Sequence, residues 1–203
     1  MSKIKHSKTE LKAQSDALKR FQRFLPMLQL KKQQLQAEIA AIDARIEQVE
    51  TVIRRERAAL DAWAALFAEG GALEDLVAVA RVNTDTGNIA GVAIPLFRGV
   101  DLALRPLDLF ETPAWFDDAQ TQVGRLLAAR AEAAVLARQR ALVTSELHTT
   151  AQRVNLFEKV KIPECRENIR VIRIFLGDEQ TAGVARGKIA KRRSIRGEGE
   201  DAA

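Results

Sequence analysis

The stretch LQAEIAAIDARIEQV, residues 35–49, places apolar side chains in alternating steps of four and three residues. These side chains are Leu35, Ile39, Ile42, Ile46 and Val49. A stripe with a 3.5-residue period faces one partner helix along its whole length, which indicates a left-handed supercoil rather than packing into a globular core. The stretch therefore predicts a coiled-coil helix.

The same heptad pattern extends from this stretch in both directions. It runs from Leu11 to Phe67, and 14 of its 17 positions are apolar. A helix from about Ser7 to Ala68 would be roughly 90 Å long at 1.5 Å per residue. Pro26 removes one backbone hydrogen bond inside it, and because the heptads continue through this proline, we expect a kink rather than an end.

A second and weaker heptad pattern occupies the later part of the chain. Eight of its ten positions from Leu126 to Phe157 are apolar, and the pattern continues in a new register from Ile162 to Leu176. A change of register locally alters the winding of a supercoil. We expect a second long helix with an irregularity close to residue 160.

Local signals suggest the limits of this second helix. Pro113 followed by Asp117 and Asp118 is typical of a helix start, since proline suits the first turn and acids suit the positive end of the helix dipole. Gly177 is a natural end, because glycine favours the position just after a helix.

The region between the helices, residues 76–109, has a different composition. Polar and glycine residues at 85–88 lie between two groups of β-branched residues, which predicts a short β-hairpin or small knob with its turn at 85–88. The β-branched residues are Val77, Val79 and Val82 before the turn and Ile89, Val92 and Ile94 after it. Prolines at 95, 106 and 113 argue against a helix through this region.

The predicted fold class is all-α dominated, a long antiparallel two-helix coiled coil with a small central β-hairpin. The predicted parts are a long N-terminal helix (1–69), a central head (70–113), a long C-terminal helix (114–177) and a basic, glycine-containing tail (178–203). The head would lie at one end and both chain ends at the other. The expected seam consists of Leu35, Ile39, Ile42 and Ile46 against Leu136, Val143 and Leu147.

The composition excludes several classes of protein. With 47% apolar and 29% charged residues the chain is globular rather than disordered, and 5% aromatic content without tyrosine disfavours a β-sandwich or barrel. One cysteine, Cys165, excludes an intrachain disulfide, and with only two histidines it cannot build a Cys/His metal site. Since neither a signal peptide nor a membrane span is recognisable, we expect a soluble, cytoplasmic protein.

Positive charge is concentrated at both ends of the chain. The net charge is +5, but residues 1–35 hold nine Lys/Arg against two acids, and residues 186–196 hold six with none. Such clusters can bind nucleic acid, anionic lipid or an acidic protein surface, or can simply be solvated helix faces.

Known catalytic motifs are not recognisable in the sequence. A phosphate-binding loop needs two glycines four residues apart followed by Lys and Ser or Thr, whereas Gly183 and Gly187 have three residues between them and Ile189 follows Lys188. Cys165 and His148 would lie about 25 Å apart on one helix, too far for a thiol nucleophile and its base. We expect no enzyme activity and no cofactor.

Three motifs carry a resemblance to a known family. Residues 153–163, RVNLFEKVKIP, resemble the Arg-Val-Asn-Ala-Leu-Glu-x-Val-x-Ile-Pro signature of the D subunit of V-type and A-type rotary ATPases. Residues 88–95, NIAGVAIP, are similar to its central Asn-x-x-Gly-Val-x-x-Pro segment, and residues 8–11 and 27–35 to its first helix. The matching residues that we single out are Arg153, Val154, Asn155, Ile162, Pro163, Asn88, Gly91 and Pro95.

This resemblance implies a central rotor stalk that couples ATP synthesis or hydrolysis in a catalytic hexamer to proton or sodium transport through a membrane ring. The implied partners are the A and B subunits of the ATPase, the F subunit of the stalk and the ring-coupling subunit, without nucleic acid or membrane insertion, in the cytoplasm at the membrane periphery. The basic residues expected to contact the hexamer are Lys8, Lys12, Lys19, Arg20, Arg186, Lys188, Lys191, Arg192 and Arg193. The alternative is a coiled-coil scaffold or nucleic-acid-binding rod that uses its basic ends.

Overall fold

The computed structural model describes residues 4–61, 77–104, 106, 113 and 115–200, and consists of long helices and one β-hairpin. In chain order the elements are α1 (Lys8–Asp61), β1 (Val77–Ile89), β2 (Val92–Leu104), α2 (Phe116–Leu156), a π-helical segment (Phe157–Lys161) and α3 (Ile162–Glu200). The predicted fold class is confirmed. The chain divides into unit 1 (Met1–Leu30 and Ala151–Ala203) and unit 2 (Lys31–Thr150).

Helix α1 begins where its side chains can satisfy its first amide groups. The Ser7 hydroxyl accepts a hydrogen bond from the backbone N–H of Glu10 at 3.2 Å, and the Ser7 carbonyl accepts from Leu11 at 3.0 Å. A serine in this position stabilises a helix by about 1 kcal/mol relative to alanine. The helix continues through Pro26 to Asp61, although an interior proline costs about 3 kcal/mol.

In unit 2, α1 and α2 run antiparallel. Lys31 pairs with Glu146 at 2.6 Å, whereas Arg45, further along α1, pairs with Glu132 at 3.0 Å, earlier on α2. Leu35 and Ile42 of α1 form a buried cluster with Val143 of α2. Burial of this apolar stripe, rather than the partly exposed ion pairs, holds the helices together, because ion pairs at the surface contribute only about 0 to 1 kcal/mol each.

In unit 1, the start of α1 runs antiparallel to the last part of the chain. The rings of Phe21 and Phe157 lie 4.9 Å apart, and those of His6 and Phe175 lie 4.8 Å apart. Gln14, between them on α1, accepts a hydrogen bond from Asn168 at 3.4 Å. The buried apolar residues on this side are Val154, Ile162, Cys165, Ile169 and Ile172.

The change of heptad register expected near residue 160 coincides with the π-helical segment. There the N–H of Ile162 bonds to the carbonyl of Phe157, five residues back instead of four. This wider turn accommodates one additional residue, so Val154 before it and Ile162 after it are both buried.

The hairpin forms as expected, but its turn is not at residues 85–88, where the sequence predicts it. Those residues lie inside β1, and the turn is Ala90–Gly91, with φ of 49° and 87°. Asn88 fixes this turn by accepting the N–H of Gly91 at 2.8 Å. Gly87 lies within β1, where a Cβ would meet Leu96 Cδ1 at 2.9 Å, so this glycine avoids a close contact rather than marking the turn.

Two further expectations differ from the structure. The second long helix does not end at Gly177 but reaches Glu200, because Gly177 does not adopt the left-handed conformation of a helix-ending glycine. The hairpin is not a head beyond the seam, since Ile94 belongs to the buried cluster of unit 2. The part of the predicted N-terminal helix at residues 62–69 lies outside the described residues.

Candidate interaction surfaces

Charge is distributed unequally between the two units. Over residues 4–30 and 151–193, unit 1 carries 17 Lys/Arg against seven Asp/Glu. The described residues of unit 2 carry 12 of each. A surface with such an excess of one sign attracts partners of the opposite charge and speeds their association. Unit 1 is therefore the candidate surface for an acidic partner.

The nine predicted basic contact residues are all exposed, but they form two groups at different places in unit 1. Lys8, Lys12, Lys19 and Arg20 lie on the paired part of α1. The other group, Arg186 to Arg193, begins eleven residues after Phe175, the partner of His6, which is roughly 16 Å along a helix. Because α3 continues past Gly177, the structure does not bring the two groups to a common tip.

The residues predicted for the seam lie together in unit 2. Leu35, Ile42 and Val143 are buried in one cluster, and Leu136 is also buried. Ile39, Ile46 and Leu147 are partly buried and pack against that cluster.

The hairpin tip packs onto this seam, a contact that the sequence pattern does not indicate. Ile94 is 3% exposed within the cluster, and Ile89 and Val92 pack around it. Gln139, itself buried, donates its amide to the carbonyl of Pro95. The sequence offers one sign of this contact, a glutamine three residues after the seam position Leu136. Its spacing does not indicate which group it would bind.

The motif residues occupy two local structures. Asn88, Gly91 and Pro95 form the turn of the hairpin and the first part of β2. The other group borders the π-helical segment: Val154 and Ile162 are buried, whereas Arg153, Asn155 and Pro163 are exposed. Each motif therefore contains a departure from regular geometry together with side chains that contact the seam.

A carboxylate interrupts the apolar stripe of α1 at Glu56, which is 7% exposed. It accepts hydrogen bonds from Arg55 at 2.6 Å and from Gln122 of α2 at 2.7 Å. The bond from Arg55, helped by that from Gln122, holds the pKa of Glu56 below its ordinary value. A polar residue that finds a partner at only one height fixes the register of two helices.

Cys165 is a buried packing residue in the structure, with 5% of its surface exposed. Burial raises the pKa of the Cys165 thiol, and the charge of Glu164 raises it further, so the reactive thiolate is disfavoured. Among the described residues, no group of three or more His, Cys, Asp or Glu could hold a metal ion. In the same part of the chain, no helix is sufficiently long and apolar to span a membrane.

Comparison with known proteins gives a consistent result. The family model described as the D subunit of ATP synthase matches residues 10–192. The V-type ATP synthase D subunit of Borreliella burgdorferi is 45% identical over 94% of this chain and 95% of its own. The proteins of the same name from Chlamydia pneumoniae and Chlamydia trachomatis serovar L2 are 33% and 32% identical, over 94% and 95% of this chain and 92% and 96% of their own.

Proposed function

The chain belongs to the family of ATP synthase D subunits, and we propose that it is the central rotor stalk of a V/A-type rotary ATPase. In this role it is not itself catalytic. It couples ATP synthesis or hydrolysis in the catalytic hexamer to proton or sodium transport through the membrane ring by mechanical contact.

The observation that carries this proposal is the apolar seam between antiparallel helices in each unit. A stalk that transmits torque needs two helices that cannot slide past each other. In unit 2 the seam is locked by the buried cluster and by the Glu56–Gln122 bond, and in unit 1 by Phe21–Phe157 and Gln14–Asn168. An asymmetric shaft of this kind favours different open and closed states of the surrounding subunits at each angle.

The proposed partners follow from charge and family. The positive surface of unit 1 suits acidic loops of the A and B subunits, and many weak contacts of about 0 to 1 kcal/mol each can break and re-form at every step. The F subunit of the stalk and the ring-coupling subunit are the other proposed partners, and the assembly places this chain in the cytoplasm at the membrane periphery.

Reconstitution tests the proposal. The chain is mixed with its A, B and F subunits, and ATP hydrolysis and rotation of an attached probe are recorded. We expect stoichiometric binding to the hexamer, rotation only when this chain is present, and no hydrolysis by the chain alone. Hydrolysis that survives repurification of the isolated chain, or failure to bind the hexamer, would overturn it. Strong duplex DNA binding that weakens steeply with salt would favour the nucleic-acid alternative instead.

A further inference from the structure

The π-helical segment Phe157–Lys161 solves a register problem in unit 1. Seam positions Phe157 and Ile162 are five residues apart, where the alternating pattern requires four. In a regular helix one additional residue would rotate all later side chains by about 100°. The π turn absorbs that residue, so Val154 before the segment and Ile172 after it both remain buried.

The backbone is weakly bonded at this point. Pro163 has no N–H, so the carbonyl of Lys159 lacks the partner that it would have in an α-helix. The facing helix carries the same defect at Pro26, which cannot donate to the carbonyl of Gln22. Pro26 is five residues from Phe21, whose ring contacts Phe157. Both helices of unit 1 therefore lose a backbone hydrogen bond near one contact.

Three of the five side chains of the segment leave it room to rearrange, whereas Phe157 contacts Phe21 and Lys161 pairs with Glu164 at 3.1 Å. Glu158, Lys159 and Val160 are exposed, and Val160 keeps 48% of its surface accessible. The flanks are held instead, by buried Thr150 and Val154 on one side and by buried Cys165 and Ile169 on the other. A change of hydrogen bonding confined to the segment would not remove any buried side chain of these flanks from the seam.

We propose that the π-helical segment is the torsionally compliant site of unit 1. Twist applied to α3 is taken up there first, by exchange between five-residue and four-residue hydrogen bonds, while the flanking seams stay packed. Pro163 limits the exchange on the C-terminal side, because the α-helical bond at that position cannot form. The use of this compliance in a motor rests on the proposed function, but the compliance itself belongs to the isolated chain.

Hydrogen exchange of the isolated chain tests the compliance. We expect amides in residues 157–162 to exchange at least about tenfold faster than those in 150–156 and 164–172, since exchange reports the free energy of local opening. Equal protection of all three stretches would overturn the proposal, and this measurement needs no variant that could fail to fold.

Two deletions sharpen the test. Removing either Val160 or Lys159 in a Pro163→Ala background gives a four-residue spacing and one continuous heptad pattern. Both deletions should slow exchange of the joined segment at least about tenfold relative to Pro163→Ala alone. Because the deletions remove different side chains but make the same register, an effect of only one of them would contradict the proposal.

The torsional stiffness of the assembled complex tests whether the segment takes up twist in the motor. The angular fluctuation of a probe on a stalled complex should be narrower in the deletion variants than in Pro163→Ala, the background in which they are made. An unchanged fluctuation would show that twist is taken up elsewhere. If the chain does not join the complex at all, the proposed function fails, whereas the exchange result still decides whether the segment is compliant.

Discussion

Ala90 is the residue whose conformation most clearly opposes its chemistry. Its φ of 49° lies in the left-handed region, which costs a non-glycine residue about 1 to 2 kcal/mol. Ala90→Gly or Ala90→Asn should therefore raise the free energy of unfolding by about 1 kcal/mol, measured by urea denaturation. The neighbouring change Gly91→Ala, at φ 87°, is the matched control and should have the opposite sign. Ala90 also packs against the buried cluster of unit 2, so destabilisation by Ala90→Gly would show that this contact outweighs the strain.

Glu56 predicts a dependence of stability on pH. Its pKa is lowered in the folded chain, so the folded state holds the proton more weakly than the unfolded state. Its contribution is complete above the unfolded carboxyl pKa of about 4.3, and is lost as pH falls through the lower folded value. The difference in unfolding free energy between the native chain and Glu56→Gln should therefore shrink as pH falls below about 4.3.

Urea denaturation between neutral and acidic pH measures this difference. Glu50→Gln removes an exposed carboxylate from the same helix and is the matched control. A gap between the native chain and Glu56→Gln that stays constant with pH would mean that packing of the amide, rather than charge, accounts for the effect.

Among the elements, the hairpin has the largest difference between its sequence pattern and its role. The pattern predicts a knob outside both heptad runs, which could be replaced without affecting the helices. In the structure Ile94 packs with Leu35, Ile42 and Val143, so we expect replacement of residues 77–104 by a flexible linker to lower the melting temperature. The helical signal below the transition should remain, because the seam itself is intact.

A single substitution separates this contact from the rest of the hairpin. Ile94→Ala should lower the unfolding free energy by about 2 to 4 kcal/mol, as for other buried large-to-small changes. Val79→Ala removes a side chain that is 41% exposed on β1 and should change stability by at most about 0.5 kcal/mol. Equal effects of the two substitutions would show that the hairpin tip does not support the seam.

At the same scale, the sequence predicts periodic packing well and isolated turns poorly. Every position of a heptad stripe is predicted to be buried in the same way. One polar exception, such as Glu56, therefore does not change the prediction for the other positions. A turn or a helix end depends on one or two residues. Neither Gly87 nor Gly177 adopts the left-handed conformation, whereas Ala90, which does, carries no turn signal. Contacts such as Gln139 with Pro95 depend on the folded position of the hairpin and have no local signal.

At the scale of the whole molecule, the excess charge of unit 1 predicts how the chain assembles. Replacing Arg186, Lys188, Lys191, Arg192 and Arg193 together by Gln should weaken binding to the ATPase hexamer in a salt-sensitive manner, since screening reduces contacts between exposed charges. Each single change should have little effect, at about 0 to 1 kcal/mol per exposed pair. Titration of the labelled chain against the hexamer at two salt concentrations measures this.

The first basic group supplies the comparison for that experiment. Its four residues lie on the part of α1 that packs against α3, whereas residues 186–193 lie further along α3. Replacing Lys8, Lys12, Lys19 and Arg20 by Gln therefore removes a similar amount of charge from a different place in unit 1. Unchanged binding at low salt after removal of the five charges at 186–193 would mean that those residues are only solvated.

The composition of unit 1 also has a consequence during synthesis of the chain. Residues 4–30 pack against a stretch that begins at residue 151, so their apolar side chains remain without that partner until the ribosome has made three quarters of the protein. Contacts between such distant parts of a chain form late and slowly. Unit 2, made of one continuous segment, can fold first. A released fragment that ends at residue 150 should therefore protect the cluster around Leu35 from protease while leaving residues 8–25 open to cleavage.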